Sequence, residues 1–148
     1  MHIAFALFAD AANLSQEGKL NVLGVFDAVQ VAGFPSVHPR ATLVVRIKGT
    51  PADVGTHALT LVWRNPRGVE LWSSAGQIDV GAPPPGVGEM DFPVIAAVDL
   101  PVDAPGDYVM RVALGDGGAA AEIGLQVRGP VATPIGIRGP GPGGGMVS

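Results

Sequence analysis

The stretch Gly18–Gly49, GKLNVLGVFDAVQVAGFPSVHPRATLVVRIKG, decides the fold because it supplies two long extended runs that are joined without a helix. In its first part, Leu20–Val31, nearly every residue is apolar or β-branched, and Asp27 carries the only charge. Such a run is typical of a strand that is buried on both faces, so it predicts a place in the middle of a sandwich or at a subunit contact. Gly24 interrupts the run, which indicates a bulge or a close approach of the backbone.

The later part of this stretch predicts a strand with one buried face. Phe34-Pro35 and His38-Pro39 mark the crossover to it, because the residue before a proline is driven towards extended backbone. The strand itself is predicted over Ala41–Lys48, where apolar and other residues alternate. The residues predicted to face the core are Leu43, Val45 and Ile47.

Outside this stretch, several runs have the two-residue period of a strand. They are His2–Ala9, Thr56–Arg64, Val69–Ser74 with an extension to Val80, Met90–Leu100, Tyr108–Leu114 and Ala121–Arg128. The first is apolar on both sides and is predicted to lie centrally or against a neighbour, whereas Pro93 assigns its strand to a sheet edge because it lacks an amide donor. With 22 glycines and 14 prolines, the chain favours strands joined by turns over helices. The sequence therefore predicts an all-β, immunoglobulin-like antiparallel β-sandwich of about 7–9 strands over residues 1–128.

The spacing of Leu100, Gly106 and Tyr108 indicates a particular corner of such a sandwich. In immunoglobulin-like and fibronectin-like domains, a tyrosine hydroxyl at this point bonds back to the upstream backbone. The alternative is a tyrosine that is simply buried.

The last twenty residues, 129–148, differ in character from the rest of the chain. They read GPVATPIGIRGPGPGGGMVS, with no apolar run of strand length and a single charge at Arg138. The glycine-rich part, Gly139–Gly145, is too flexible to order itself. The sequence predicts a flexible or partner-bound tail, in which Val131, Ile135 and Ile137 are the anchors on a neighbouring surface.

Composition favours contact with other proteins over contact with nucleic acid. Hydrophobic residues make up 47% of the chain and charged residues only 15%, so the surface is lightly charged. The net charge is −4 and contains no basic cluster, which argues against binding to a phosphate backbone. There is no cysteine, so a disulfide framework and a thiolate zinc site are excluded.

Residues with catalytic or metal-binding chemistry do not occur in a useful arrangement. His2, His38 and His57 have no ligand spacing, and no serine lies in a nucleophile motif with a His and an acid. We therefore expect no enzyme, no metal site and no cofactor. Trp72 is set apart because an exposed tryptophan on a strand would be a hot spot for partner binding.

A pattern of short motifs resembles a known family. It consists of Phe8-Ala9-Asp10, Gly18-Lys19-Leu20-Asn21, Gly24 before Val25-Phe26-Asp27, Phe34-Pro35, His38-Pro39 and Gly106-Asp107-Tyr108. Over residues 4 to about 128 the chain is similar to an uncharacterised family of bacterial and phage proteins, a domain of unknown function. The resemblance implies a small β-sandwich without an assigned activity. Relatives among phage genes imply a virion-associated role by analogy.

Together these features predict a non-enzymatic structural or interaction module that assembles with itself or with a larger complex. One such complex is a virion, in which the chain would be a decoration or minor structural protein. The alternative hypothesis is a small-ligand or carbohydrate-binding domain that uses loops at one end, around Phe34–Arg40 and Gly81–Gly88. A cytoplasmic or virion location is expected, since the apolar start lacks a basic n-region and Asp10 lies where a signal cleavage site would fall. No run is long enough to predict a membrane span.

Overall fold

The computed structural model describes residues 1–115 and 118–130, and these residues form nine strands and one short 3-10 turn, Pro51–Asp53. The strands are β1 (His2–Leu14), β2 (Leu20–Phe26), β3 (Ala28–Gln30), β4 (Ser36–Gly49), β5 (Gly55–Arg64), β6 (Glu70–Val80), β7 (Met90–Val102), β8 (Gly106–Leu114) and β9 (Ala120–Arg128). The predicted all-β class is confirmed. The described part of the chain contains no helix with the length and hydropathy of a membrane span.

The strands are divided between two sheets that enclose the core. One sheet has four strands in the order β2-β1-β4-β7, and the other has five in the order β3-β9-β8-β5-β6. All neighbouring strands are antiparallel except β3 and β9, which are parallel. The order β9-β8-β5-β6 corresponds to strands G, F, C and C′ of variable-type immunoglobulin domains. The predicted immunoglobulin-like sandwich is therefore present, with one parallel pair added.

The core lies between the sheets and is centred on Trp63 of β5. Its indole stacks on Tyr108 at 5.2 Å between ring centroids and meets Phe8 edge-on at 6.2 Å. The indole Nε1 donates a hydrogen bond of 2.8 Å to the carbonyl oxygen of Pro101, so the polar atom of this buried side chain is satisfied. The predicted inward residues of β4 are all fully buried here: Leu43, Val45 and Ile47.

The predicted tyrosine corner is also present. The Tyr108 hydroxyl accepts hydrogen bonds from the backbone N–H groups of Asp103 (2.9 Å) and Ala104 (3.0 Å). The same hydroxyl lies 2.8 Å from Asp103 Oδ1 and 2.7 Å from the Ala104 carbonyl oxygen, either of which can accept its proton. The turn between β7 and β8 is therefore fixed to the core by one side chain, as in immunoglobulin-like domains.

Two strand predictions were wrong in their boundaries. Leu20–Val31 is not one continuous strand, because the chain leaves the four-stranded sheet at Asp27 and continues as β3 in the other sheet, so that both pieces lie at sheet edges. The strand predicted from Ala41 begins at Ser36, since its first residues pair with the end of β7 despite Pro39. The proline is accommodated by a shift of register between His38 and Ala41.

Two other strand predictions are confirmed. β1 lies in the interior of its sheet, between β2 and β4, as the two-sided apolar pattern of His2–Ala9 predicted. β7, which contains Pro93, is an edge strand.

The tyrosine corner predicts that the free energy of unfolding depends on pH. Hydrogen bonds from Asn65 and Tyr108 hold the pKa of Asp103 below its ordinary value, so the folded protein favours the carboxylate more than the unfolded chain does. The resulting stabilisation is present above the ordinary pKa and is lost as the pH falls through the folded-state pKa. We expect Asp103→Asn to be less stable than the parent at neutral pH, with the difference shrinking between about pH 5 and pH 2. Urea unfolding at each pH measures this, with Asp107→Asn on exposed β8 surface as the control. A difference that stays constant with pH would contradict it.

Candidate protein-interaction surface

The outer side of the four-stranded sheet is apolar. Val44 lies between the core residues Leu43 and Val45 on β4, so its side chain is on the opposite side of the sheet. Its register partners on the neighbouring strands are Leu7 and Ile95, which therefore share this outer side. An aliphatic row thus crosses three strands away from the core.

The neighbouring rows extend this surface, which we name the apolar face. Its residues are Phe5, Leu7, Ala9 and Ala11 of β1, Leu23 and Val25 of β2, Val44 of β4, and Pro93, Ile95 and Ala97 of β7. Leu23 is 72% exposed and Val25 is 60% exposed, whereas Val44 is 0% exposed because its neighbours cover it. A contiguous apolar patch of this kind marks a contact site in soluble proteins.

The corresponding side of the five-stranded sheet is different. It is interrupted by charged residues along β5, β8 and β9: Arg64, Asp107, Arg111, Glu122 and Arg128. Such alternation of charge is typical of a surface that faces solvent. The contrast shows that the apolar face is a property of one sheet and not of the lightly charged chain as a whole.

Charged groups on and beside the apolar face are paired with each other; Arg46 lies on the face, between Phe5 and Pro93 in the register. The Arg46 guanidinium holds both carboxylate oxygens of Asp91, with its Nε 3.1 Å from Oδ1 and 3.0 Å from Oδ2. This hydrogen bonding lowers the pKa of Asp91 and raises the pKa of Arg46, so both stay ionised at neutral pH. At the same end of the sheet, Lys48 Nζ lies 3.8 Å from Glu89 Oε1. This end of the face therefore carries little net charge.

A two-stranded hairpin continues the apolar face beyond the rest of the sheet. Pairing of β1 with β4 ends at Ala9 and Thr42, and the following residues of β1 pair only with β2. We name the segment Asp10–Gly24 the hairpin arm; Leu14 and Leu23 are exposed on it. An isolated two-stranded hairpin is marginally stable in water, so a second surface against the arm would stabilise it.

The base of the arm requires a glycine. Gly24 has a φ of +70°, and a Cβ atom there would lie 2.2 Å from Asp10 Oδ2. The atoms that approach Gly24 closely belong to the Asp10 side chain and not to another backbone. Leu23 and Val25 are register partners of Ala11 and Ala9, so they lie on the same outer side of the sheet.

Four strands are edges of the sheets, and one of them has no protection against pairing. β7 carries Pro93, Asp91 and Asp99, β6 carries Glu70 and Asp79, and β3 has only three residues. Proteins use charge, proline and short length to prevent edge-to-edge association. β2 reads LNVLGVF and has none of these features. Among the edge strands of the described sheets, β2 is therefore the one with which another strand can most readily pair.

The model of a protein family, described as a family of unknown function (DUF6941), matches residues 4–128. The chain belongs to this family. None of the curated proteins matches it. The predicted relationship to a domain of unknown function is confirmed for this DUF6941 chain, and the bacterial and phage origin of the resemblance stays a prediction.

The predicted contact residues are placed differently from the apolar face of this DUF6941 domain. Trp72 lies opposite Trp63 in the register of β5 and β6, and it is half-buried against the edge of the core. It is thus not the fully exposed tryptophan that a hot spot on an open strand would be, and its partner-binding role stays a prediction. The other three predicted anchors, Val131, Ile135 and Ile137, lie outside the described residues.

The residues of the apolar face were not singled out from the sequence. Their signal was the two-sided apolar pattern of β1 and β2, which predicted burial or a subunit contact without distinguishing the two. In the structure β2 is an edge strand with exposed side chains, so the described part of the chain does not itself bury both of its faces.

The loops proposed for ligand binding do not form one end of the DUF6941 sandwich. Ser36 pairs with Val102, whereas Gly49 at the other end of β4 pairs with Met90, directly after the Gly81–Gly88 loop. Phe34–Arg40 and Gly81–Gly88 are therefore at opposite ends, and a single site cannot use both. Within the described ranges, no three His, Cys, Asp or Glu side chains are grouped as metal ligands.

Proposed function

We propose that this DUF6941 chain is a non-enzymatic assembly module that associates with a second copy of itself through β2 and the adjoining apolar face. The observation that carries the proposal is the exposure of Leu23 and Val25 on an uncharged edge strand. The outer edge of β2 presents apolar side chains together with backbone N–H and C=O groups, and these are the groups that bind an added strand. The hairpin arm gains a second surface in the same contact.

A second copy is favoured over an unrelated partner by the chemistry of β2. In a two-fold contact, antiparallel β2 strands bring each residue opposite a residue of the same strand. Like charges placed opposite each other would repel, but Leu20–Phe26 contains no charge. The two four-stranded sheets would join into one continuous sheet with one continuous apolar face.

A place in a larger assembly is compatible with this mode of pairing. A continuous apolar face on a dimer presents more area to a further protein than a single chain does. A virion-associated role, as a decoration or minor structural protein, is the assembly that the family resemblance suggests, with the chain in the cytoplasm or in the particle.

The proposal predicts a dimer that charge on β2 disrupts. Light scattering after size exclusion, over a range of concentrations, is expected to give twice the chain mass of 15.0 kDa for the parent protein. Leu23→Lys and Val25→Lys are expected to give the monomer mass, because each adds a charge to an uncharged edge strand and to the apolar face, and that charge would be buried in the contact. Both side chains are exposed, so folding is unaffected and circular dichroism is unchanged.

The matched control is Val69→Lys, which adds the same charge at another exposed valine, in the turn before β6. This variant is expected to remain dimeric. A parent protein that stays monomeric at about 100 μM would contradict self-association at this strength. A dimer that survives in the Leu23→Lys and Val25→Lys double variant would show that the interface lies elsewhere.

A further inference from the structure

The short strand β3 covers only part of β9. It pairs with β9 over Gln126–Arg128, and the preceding part of β9 has no strand beside it on that side in the described sheets. We name the uncovered stretch, Ala120–Leu125, the open edge. Only Asp27 separates β2 from β3, and β2 pairs with β1 from Phe8 onward, so the first half of β1 also lacks a neighbour on this side. The sandwich therefore has room for one more strand beside β9.

The backbone groups of β9 point alternately towards and away from β8. The Gln126 N–H donates a hydrogen bond of 2.8 Å to the Asp27 carbonyl oxygen, so even-numbered residues of β9 direct their N–H and C=O groups away from β8. The Ala119 carbonyl oxygen accepts a hydrogen bond of 2.8 Å from the Leu114 N–H, so odd-numbered residues of β9 bond to β8.

Three residues of the open edge therefore direct both backbone groups away from the sheet. They are Ala120, Glu122 and Gly124, and all three are exposed. Their N–H and C=O groups have no backbone partner among the described residues. A Cβ atom at Gly124 would meet no atom within 4 Å. A row of unpaired backbone groups with open space beside it is a template for an added strand.

The inner side of the open edge is apolar. Ile123 belongs to the core, and Ile3 and Ala6 of β1 are only partly buried against the same core. The strands β1 and β9 begin beside each other, since Met1 and Ala119 line one cavity. An added strand would cover this region if it carried apolar side chains at alternate positions.

The outer side of the open edge is acidic. A cavity of about 510 Å³ lies there, and Asp27 and Gly124 are among the residues that line it. The carboxylates of Asp27 and Glu122 form no ion pair among the described residues. Arg111 lies on β8, one strand further from the edge, and Arg128 is held by hydrogen bonds within β9. The charge nearest the edge therefore favours a basic side chain on an added strand.

A second copy of the chain offers no edge strand with this chemistry. β2 and β3 contain no charged residue, and the charged residues of β6 are acidic. β7 likewise carries aspartates and no lysine or arginine. The open edge is therefore better matched to a different polypeptide than to a copy of this one.

We infer that the open edge binds an extended segment of another protein, which has apolar residues at alternate positions and a basic residue between them. Its backbone pairs with Glu122 and Gly124, and its apolar side chains extend the core beside Ile123. Its basic side chain lies near the Asp27 and Glu122 carboxylates. The inference uses neither β2 nor the apolar face, so it stands independently of the proposed function.

Amide hydrogen exchange, followed by NMR on the full-length protein, tests whether the edge is open. The amides of Glu122 and Gly124 are expected to exchange at least about tenfold faster than those of Ala121 and Ile123, which β8 protects. Equal protection of the two sets without an added partner would overturn the inference, because the chain itself or a second copy would then fill the edge.

A peptide of sequence TVKVT, blocked at both termini, tests the chemistry of the partner. Its valines can face the core while its lysine faces the carboxylates. It is expected to slow exchange of the Glu122 and Gly124 amides, and to bind at least about fivefold more tightly than TVEVT, which has the opposite charge. Equal binding of the two peptides, or no saturation with TVKVT by about 1 mM, would overturn the inference.

A matched pair of variants at Gly124 tests the backbone contact. Gly124→Pro removes one N–H donor of the open edge, and proline is tolerated in a strand where the N–H faces solvent. It is expected to bind TVKVT at least about tenfold more weakly than Gly124→Ala, which keeps the donor. Equal affinities of the two variants would overturn the inference.

A variant of an exposed side chain tests the charge without changing the backbone. Glu122→Lys is expected to bind TVEVT more tightly than TVKVT, the reverse of the parent protein. An unchanged preference for TVKVT would show that Glu122 does not face the added strand, and would overturn the inference.

Discussion

Trp63→Ala is expected to lower the free energy of unfolding by about 3–5 kcal/mol, the largest loss from any single side chain of the core. The indole is fully buried, contacts both Tyr108 and Phe8, and joins the two sheets. Its removal leaves a cavity and also leaves the Pro101 carbonyl oxygen without its donor. Since domains of this size have a total stability of about 5–15 kcal/mol, the variant should be near the limit of folding.

Urea unfolding followed by far-ultraviolet circular dichroism measures this loss. The control is Trp72→Ala, which removes the same side chain from the neighbouring position on β6, where it is half-buried. Its expected loss is about half as large or less, because a partly exposed side chain leaves no closed cavity. Equal losses in the two variants would contradict the central position of Trp63.

Strands with one buried face could be predicted from the sequence because their period is visible without knowledge of the partner strand. Leu43, Val45 and Ile47 alternate with less apolar residues on β4, and Tyr108 to Leu114 do the same on β8. The tyrosine corner could be predicted for a related reason: it depends on a short local spacing and on a hydroxyl that must find a partner when buried.

The position of β2 could not be predicted in the same way. A strand that is apolar on both faces can lie in the middle of a sheet or at its edge beside a partner, and both places remove apolar area from water. The choice depends on Asp27, where the chain changes sheets, and on the pairing of β3 with β9, which is remote in sequence. No local pattern encodes that pairing.

The relative position of the two loops named in the ligand-binding hypothesis could not be predicted for a comparable reason. Phe34–Arg40 and Gly81–Gly88 are both rich in proline or glycine, but which end of the sandwich a loop occupies depends on the direction of the strands that flank it. β4 was predicted to begin after Pro39, so the pairing of its first residues with the end of β7 was missed. Without that pairing, the sequence does not show at which end of the sandwich the Phe34–Arg40 loop lies.

Tyr108→Phe is expected to lower the free energy of unfolding by about 2–3 kcal/mol, although it removes a single oxygen atom. That oxygen accepts hydrogen bonds from the backbone N–H groups of Asp103 and Ala104, and a phenyl ring offers them no replacement. The stacking on Trp63 is retained, so the near-ultraviolet circular dichroism of the folded variant should match that of the parent.

The loss should be specific to the hydroxyl. Met110→Leu, a change of similar volume at the next inward position of β8, is the control and should cost less than about 1.5 kcal/mol. Tyr108→Phe should also weaken the pH dependence attributed to Asp103, because one of the hydrogen bonds that lower the pKa of its carboxyl group is gone. Parallel urea titrations near pH 7 and pH 3 of both variants measure the two effects together. A Tyr108→Phe protein as stable as the parent would mean that the turn between β7 and β8 is held by its backbone alone, and that the corner contributes nothing to the fold.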